Sequence, residues 1–295
     1  MTEDRKKLII WASFLMLTLA WGSSFMLVKR ALQGGFSAYE VASTRMMSAM
    51  LVLMVPALFY IRRIPVDKLG YLVISAWLSM FFPAYLFSTA QVHIHESSIV
   101  SILNALTPAT TFIVGILAFR QPMRSMQALG LIVGFIGTAL LIMVNSSGEL
   151  SLNEYAFLVL LATICYGTNV NLVKTKLIDI PTFQLSAITV AIAGMSSLLL
   201  MIWNGSFPHL LQNGMEHPWS FGAMFLLGVM GTALAQMVFN NLLQLTTPVF
   251  ASAITYFIPI VAIFWGVLDG ELLSLPQILG MVLVIGGIYI LNKNK

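Results

Sequence analysis

The chain has 295 residues, 59% of them hydrophobic and only 9% charged, with a net charge of +4 and a mean hydropathy of +0.91. Soluble domains carry about 25% charged residues, so this composition excludes a water-soluble fold. The basic residues fall at the ends of apolar runs and form no patch, which argues against nucleic acid as a partner.

Residues 1–7 are charged, and the apolar run that follows to Val28 is long for a signal-peptide core, so it reads as a first membrane helix. About 20 apolar residues in helical form cross a bilayer. Ten such segments are predicted, at roughly 8–30, 37–60, 69–91, 97–119, 124–144, 153–173, 181–203, 219–243, 248–268 and 275–291. Breaks fall at charges, at Pro65, Pro122, Pro181, Pro218, Pro248 and Pro276, and at Asn145-Ser146-Ser147-Gly148. With the N-terminus in the cytoplasm, the inner ends hold Arg5, Lys6, Lys7, Arg62, Arg63, Lys68, Arg120, Arg124, Lys174, Lys176, Lys293 and Lys295, while the outer ends hold only Lys29 and Arg30. The positive-inside rule therefore puts both termini in the cytoplasm.

The stretch Trp21-Gly22-Ser23-Ser24, running on to Leu27-Val28-Lys29, is written again 145 residues later as Tyr166-Gly167-Thr168-Asn169, running on to Leu172-Val173-Lys174. Tyr39 matches Phe183 at an offset of 144 and Phe87 matches Phe239 at 152. Thr107-Pro108 matches Ile258-Pro259 at 151, and Gly130 and Gly137 match Gly280 and Gly287 at 150. The jump in offset assigns about eight extra residues to the loop 204–217 of the second copy. An echo at half the chain length predicts two repeats, 1–146 and 147–295. Five spans per repeat is odd, so the second repeat is expected upside down. Inverted repeats are a hallmark of secondary transporters, with the substrate site at the repeat interface near the midplane.

Polar side chains within spans need partners or a water-filled cavity. Ser97, Ser101, Asn104, Pro108 and Thr111 form one stripe on the fourth span, and Gln236, Asn240 and Gln244 another on the eighth. Thr163, Tyr166, Gly167, Asn169 and Asn171 cluster on the sixth span, and Ser252, Thr255, Tyr256 and Pro259 on the ninth. Such groups also serve as plain hydrogen bonds between helices, so matching depth in both copies is what favours a shared cavity. Arg45, within the second span, has three readings: snorkelling outward, bracing helix carbonyls, or holding a substrate carboxylate. Lys29 and Lys174 end the two copies of the repeated stretch on opposite sides, as interfacial anchors or as gates. Pro108 and Pro259 kink their helices and free a carbonyl each, offering pivots. The glycines of the fifth and tenth spans mark packing helices away from the pathway. Asp269 and Glu271, at the outer end of the ninth span, read as solvated.

Enzyme chemistry finds little support. Cys165 lies in an apolar run and reads as a small core residue, without partners for a disulfide or a metal. His93-Ile94-His95-Glu96 lacks metalloprotease spacing, and Gly22-Ser23-Ser24 lacks both the nucleophile elbow and an in-membrane base. There is no Walker loop for ATP. Asn204-Gly205-Ser206 matches a glycosylation sequon in an outer loop, a pattern that arises readily by chance. No cofactor, metal ligand or catalytic residue is expected. No carboxylate or histidine falls at the midplane, so a proton-driven mechanism lacks support.

Taken in order, Trp21-Gly22-Ser23-Ser24, Arg45, Ser97-Ser98, Thr107-Pro108, Pro259, Gly270-Glu271, Gly280 and Gly287 resemble the drug/metabolite transporter superfamily and its EamA-type, ten-helix members, over about 8–291. The resemblance implies an inner-membrane carrier, often an exporter of amino acids or other metabolites, with a cavity lined by spans 1, 3, 4, 6, 8 and 9. The halves have diverged: Gly270-Glu271 answers to Arg120-Gln121-Pro122, and Arg45 to Thr189, which argues against a strictly two-fold site. The expected lining is Trp21, Ser23, Ser24, Tyr85, Asn104, Thr107, Tyr166, Asn169, Gln236, Asn240 and Tyr256, with Pro108, Pro259, Lys29, Lys174 and Arg45 as hinges or gates. Aromatic walls with amides and hydroxyls suit a small amphiphilic or zwitterionic metabolite such as an amino acid. The partners expected are that solute and the lipid bilayer, with the oligomeric state left open. An uncoupled facilitator, a receptor and a membrane-embedded enzyme are the alternatives.

Overall fold

Lipid offers the backbone no hydrogen-bond partners, so apolar runs of this length close their bonds internally as helices. The computed structural model describes residues 3–94, 97–120, 125–143, 154–270 and 275–292, and among them no strand occurs. The helices are α1 (Glu3–Gln33), α2 (Ala38–Ile61), α3 (Val66–His93), α4 (Ser97–Asn104), α5 (Thr107–Phe119), α6 (Ser125–Met143), α7 (Ala156–Lys176), α8 (Thr182–Trp203), α9 (Phe207–Glu216), α10 (Pro218–Leu245), α11 (Pro248–Leu268) and α12 (Leu275–Asn292). Seven of them, α1, α2, α3, α7, α8, α10 and α11, are long and apolar enough to cross a membrane. Thr107–Phe119 and Ala128–Gly137 are shorter apolar stretches. Several sequence expectations lie outside the described residues: His95 and Glu96, the side chains of Ser97 and Ser98, Gln121, Pro122, Arg124, the 145–148 stretch, Glu271, Lys293 and Lys295.

Helix starts follow local chemistry. Ser37 and Glu40 form a reciprocal capping box at the head of α2, satisfying two orphan N–H groups. Pro65 and Pro181 precede the first turns of α3 and α8, and Pro218 and Pro248 open α10 and α11, where a missing N–H costs nothing. The loop expected at 204–217 holds a helix instead, the amphipathic α9, whose Leu210 is buried while Leu211 and Met215 are exposed. His209 on α9 meets the buried Glu40 at 2.6 Å, tying this helix to the start of α2.

Two long helices are interrupted by π turns, at Trp77–Phe81 in α3 and Val229–Leu234 in α10, 152 residues apart. The segment expected as one span at 97–119 breaks between α4 and α5. Pro108 has no N–H for the Asn104 carbonyl, and the Thr107 hydroxyl takes that carbonyl at 2.7 Å. In α11 a 3-10 turn at Ala253–Tyr256 precedes Pro259, which likewise leaves the Thr255 carbonyl without its helical donor.

In the packing, α2 lies against α8 and α6 against α12; α1 packs on α10 and α11, and α7 on α3 and α5. Two of these contacts depend on glycine. A Cβ on Gly22 would sit 2.5 Å from Val261 Cβ in α11, and one on Gly167 would sit 2.7 Å from the Thr111 amide nitrogen in α5. The main core runs between α1, α2, α3, α8 and α10, with Leu17, Met46, Leu72, Leu185, Ile188 and Leu242 fully buried.

Candidate functional site

The interruptions surround a central cavity lined by α1, α2, α3, α4, α5, α7, α10 and α11. Measured to the centre of a water-sized sphere, it holds about 90 Å³. A water needs roughly 10–15 Å³ on that measure, so the space takes several waters or one small metabolite. None of the described lining residues comes from α6 or α12, and Arg45 and Met46 add α2 to the six spans that the family resemblance implies.

Seven of the residues expected to line a site are brought together here: Trp21, Ser24, Asn104, Thr107, Tyr166, Asn169 and Gln236. Trp21 donates through Nε1 to the carbonyl of Gly231 at 3.0 Å, linking α1 to the π turn of α10, and packs its ring 5.3 Å from Phe239. Tyr166 stacks on Phe87 at 6.0 Å between ring centres. The Asn169 side-chain oxygen accepts from Ser75 at 2.7 Å, and Asn104 accepts from Thr107 at 3.1 Å. These contacts hold the polar groups of the wall in fixed rotamers.

The other expected residues sit elsewhere. Ser23 accepts from Trp265 Nε1 at 2.8 Å, between α1 and the end of α11. The Tyr85 hydroxyl lies 2.8 Å from Ser43 and its ring packs on Phe81 and Tyr39, behind the wall. Asn240 donates to Ser186 at 2.9 Å on α8. Tyr256 is buried against Gly134 of α6, in a cluster with Leu131, Val249 and Ile263. Pro108 and Pro259 stand in the first turns after their breaks, next to cavity residues Thr107 and Ile258.

The cations divide between the cavity and its two ends. Arg45 is in the wall: Nε donates to Thr232 Oγ1 at 2.7 Å, and Nη2 reaches the Gly231 carbonyl at 3.5 Å. Lys29 donates to Asp269 at 2.9 Å, and Arg30 pairs with the other oxygen of the same carboxylate, so Asp269 is paired where the sequence suggested a solvated acid. The Lys29 hydrogen bond, foremost, holds the Asp269 carboxyl below its ordinary range; partial burial opposes this, and the charges of Lys29 and Arg30 add to it. At the opposite end, Lys174 donates to the carbonyls of Leu243 at 2.9 Å and Thr246 at 2.7 Å, closing the C-terminus of α10. Lys68 and Asp179 pair nearby at 2.9 Å.

Sequence reasoning missed Ser79, Ser88, Gln91, Gly231 and Thr232 as lining residues. Gln91 carried a readable signal, a lone amide in an apolar span. Ser79, Gly231 and Thr232 did not, because a π turn has no sequence signature that reveals which small residue it turns inward. Among the described residues no group of three or more His, Cys, Asp or Glu could hold a metal.

The sequence model of the EamA-like transporter family matches the chain twice, over residues 7–143 and 154–293. An inner membrane transporter of Escherichia coli strain K12, YedA, described as uncharacterized, is 24% identical over 297 residues, covering 99% of this chain and 93% of that one. The YedA proteins of E. coli O157:H7 and of E. coli O6:H1 match to the same extent. A solved structure known only as the crystal structure of a protein superposes with a TM-score of 0.71 at 14% identity, over 99% of this chain and 97% of its own. The twofold match across the apolar helices identifies the chain as an integral membrane protein that belongs to the EamA-like transporter family.

Proposed function

We propose that the protein is a secondary transporter that moves a small metabolite, such as an amino acid, by alternating access around the central cavity. The observation that carries this reading is the cavity itself: about 90 Å³, walled by broken helices from both halves and furnished with amides, hydroxyls and aromatic rings. A largely apolar cavity with a few placed polar groups among apolar helices suits a small solute in transit.

The mechanism rests on two inverted five-helix repeats in a ten-span chain, with α4–α5 as one span and α6 and α12 as two more. Several relations support it. The π turns stand 152 residues apart, the offset that also joins Phe87 to Phe239. The helix pairings are mutual: α1 on α10 and α11 has its counterpart in α7 on α3 and α5. Gly22 and Gly167, 145 residues apart, make equivalent close contacts, and the family match is doubled. In this scheme the halves rock about Pro108 and Pro259. The Lys29–Asp269 and Arg30–Asp269 pairs close the outer end, and Lys174 with Lys68–Asp179 the inner. The termini face the cytoplasm of a bacterial inner membrane, and the physiological direction is export.

Counterflow in proteoliposomes tests this reading. Vesicles preloaded with a mixture of amino acids should take up a labelled one faster than protein-free vesicles. Absence of counterflow across amino acids, hydroxy acids and small amines alike would remove it. Repeating the assay with and without an imposed pH difference separates a coupled carrier from an uncoupled facilitator.

A further inference from the structure

We infer that Arg45 is the anion anchor of the cavity, and that the transported molecule carries one carboxylate that docks there together with an N–H or O–H donor. This rests on the transporter reading above and adds the chemical class of its substrate.

A guanidinium has five N–H donors in a planar fork. Arg45 uses two within the protein: Nε on Thr232 Oγ1 at 2.7 Å, and Nη2 weakly on the Gly231 carbonyl at 3.5 Å. The Nε bond fixes the plane of the fork, and the Nη edge keeps donors for a ligand. Among the described residues no Asp or Glu lines the cavity, so the protein supplies no counter-ion there. An unpaired arginine at membrane depth costs about 2.5–3.5 kcal/mol on insertion scales, and a carboxylate taken bidentately is the partner its geometry fits best.

The same wall also carries polar groups on α3 that lack a partner. Gln91 Nε2 donates to the Phe25 carbonyl at 3.1 Å, which fixes the amide so that Oε1 is its remaining group. That oxygen and Ser79 Oγ, both on lining residues, have no protein partner. A buried acceptor without a donor is costly, so the Gln91 oxygen calls for an ammonium or hydroxyl on the ligand, and the Ser79 hydroxyl can accept from the same group. The aromatic faces of Trp21, Phe87 and Tyr166 would favour an ammonium further.

A second negative charge on the ligand finds no match. The position that answers to Arg45 in the other half is Thr189, whose hydroxyl bonds the Leu185 carbonyl of its own helix at 2.8 Å. The site is therefore lopsided, with one cation on the α2–α10 side. That selects a carboxylate monoanion or zwitterion over a phosphate.

Thermal stabilisation of the purified full chain tests this, because a ligand that binds only the folded state raises its stability. The probes are the common L-amino acids, their carboxamides, lactate, glycerate and inorganic phosphate. At least one acid should stabilise the wild type, with its amide at least about tenfold weaker, a difference of about 1.4 kcal/mol. Amino acids as the best acids indicate an ammonium at the acceptors, and hydroxy acids indicate a hydroxyl. Arg45→Lys should weaken the acid about tenfold, and Arg45→Gln should abolish the preference for acid over amide, an effect that general loosening of the fold would not produce. If Arg45→Gln does not fold, the wild-type comparison and Arg45→Lys still decide. Equal binding of acid and amide, stabilisation by phosphate alone, or no stabilisation by any carboxylate overturns the inference. An amide or amine that stabilises the protein and is carried in counterflow would overturn it while leaving the transporter reading intact.

Discussion

Lys29, at the end of α1, donates to Asp269, just past the end of α11, at 2.9 Å across 240 residues of chain. The same two helices are joined one turn deeper, where Trp265 donates to Ser23 at 2.8 Å. This end of the bundle is therefore held by a charged pair above a neutral hydrogen bond, and separating the two helices must break both.

Removing the charge of Asp269 should loosen that end. In a Cys165→Ser background, which removes the single native cysteine, the Ser23→Cys variant can be probed with a membrane-impermeant thiol reagent. Adding Asp269→Asn should speed its labelling several-fold; an unchanged rate would show that the pair does not control access. The pH dependence has a definite sign. Because the Asp269 carboxyl is held below its ordinary 3.8, the link is fully present above that value. It is lost only as pH falls through the lower folded-state value. The thiol's own pH dependence cancels in the ratio of labelling rates with and without Asp269→Asn, so that ratio should be flat from about pH 8 down to about pH 5.

Gly167→Ala should destabilise the fold. The new methyl would lie 2.7 Å from the Thr111 nitrogen and 2.9 Å from the Thr110 carbonyl carbon, both backbone atoms of α5 that a rotamer change does not move. Overpacking of this kind costs about 1–3 kcal/mol. Gly70→Ala is the control, since a Cβ there meets nothing within 4 Å, and a helical Gly→Ala change is neutral to stabilising by up to about 1 kcal/mol. Thermal unfolding in detergent checks both, and equal midpoints would contradict the close α5–α7 approach.

Asn104 and Asn240 should separate function from folding. Asn104 lines the cavity, whereas Asn240 donates to Ser186 between α10 and α8. Asn104→Ala is expected to cut counterflow at least about tenfold while leaving the unfolding midpoint nearly unchanged. Asn240→Ala is expected to lower stability by about 1 kcal/mol while keeping flux per folded molecule. The reverse pattern would move the site one helix face along α10.

Much of the architecture was legible because lipid enforces it. The span expected at 248–268 coincides with α11, and that at 181–203 with α8 to within a residue. Start signals such as Ser37 with Glu40, and Pro218 and Pro248, act locally and need no tertiary context. The repeated stretch and the polar stripes together singled out Trp21, Asn104, Tyr166, Asn169 and Gln236, and all five stand around one cavity. Asn240 and Tyr256 stand outside that lining, because a stripe names a helix face without naming the neighbour. Asn240 turns to Ser186, and Tyr256 turns to the space left by Gly134.

What the sequence determined by itself was the class of molecule: an apolar chain of membrane helices delimited by charge and proline, with polar residues in stripes. Those properties depend on composition and on interactions within a few residues. Only the tertiary structure decided that π turns at Val229–Leu234 and Trp77–Phe81 bend the walls, that Arg45 is held by Thr232 within the cavity, and that Asp269 closes on Lys29. Each depends on a partner 187 or 240 residues away or on how a backbone bulges against its neighbours, and local propensity carries no information about either.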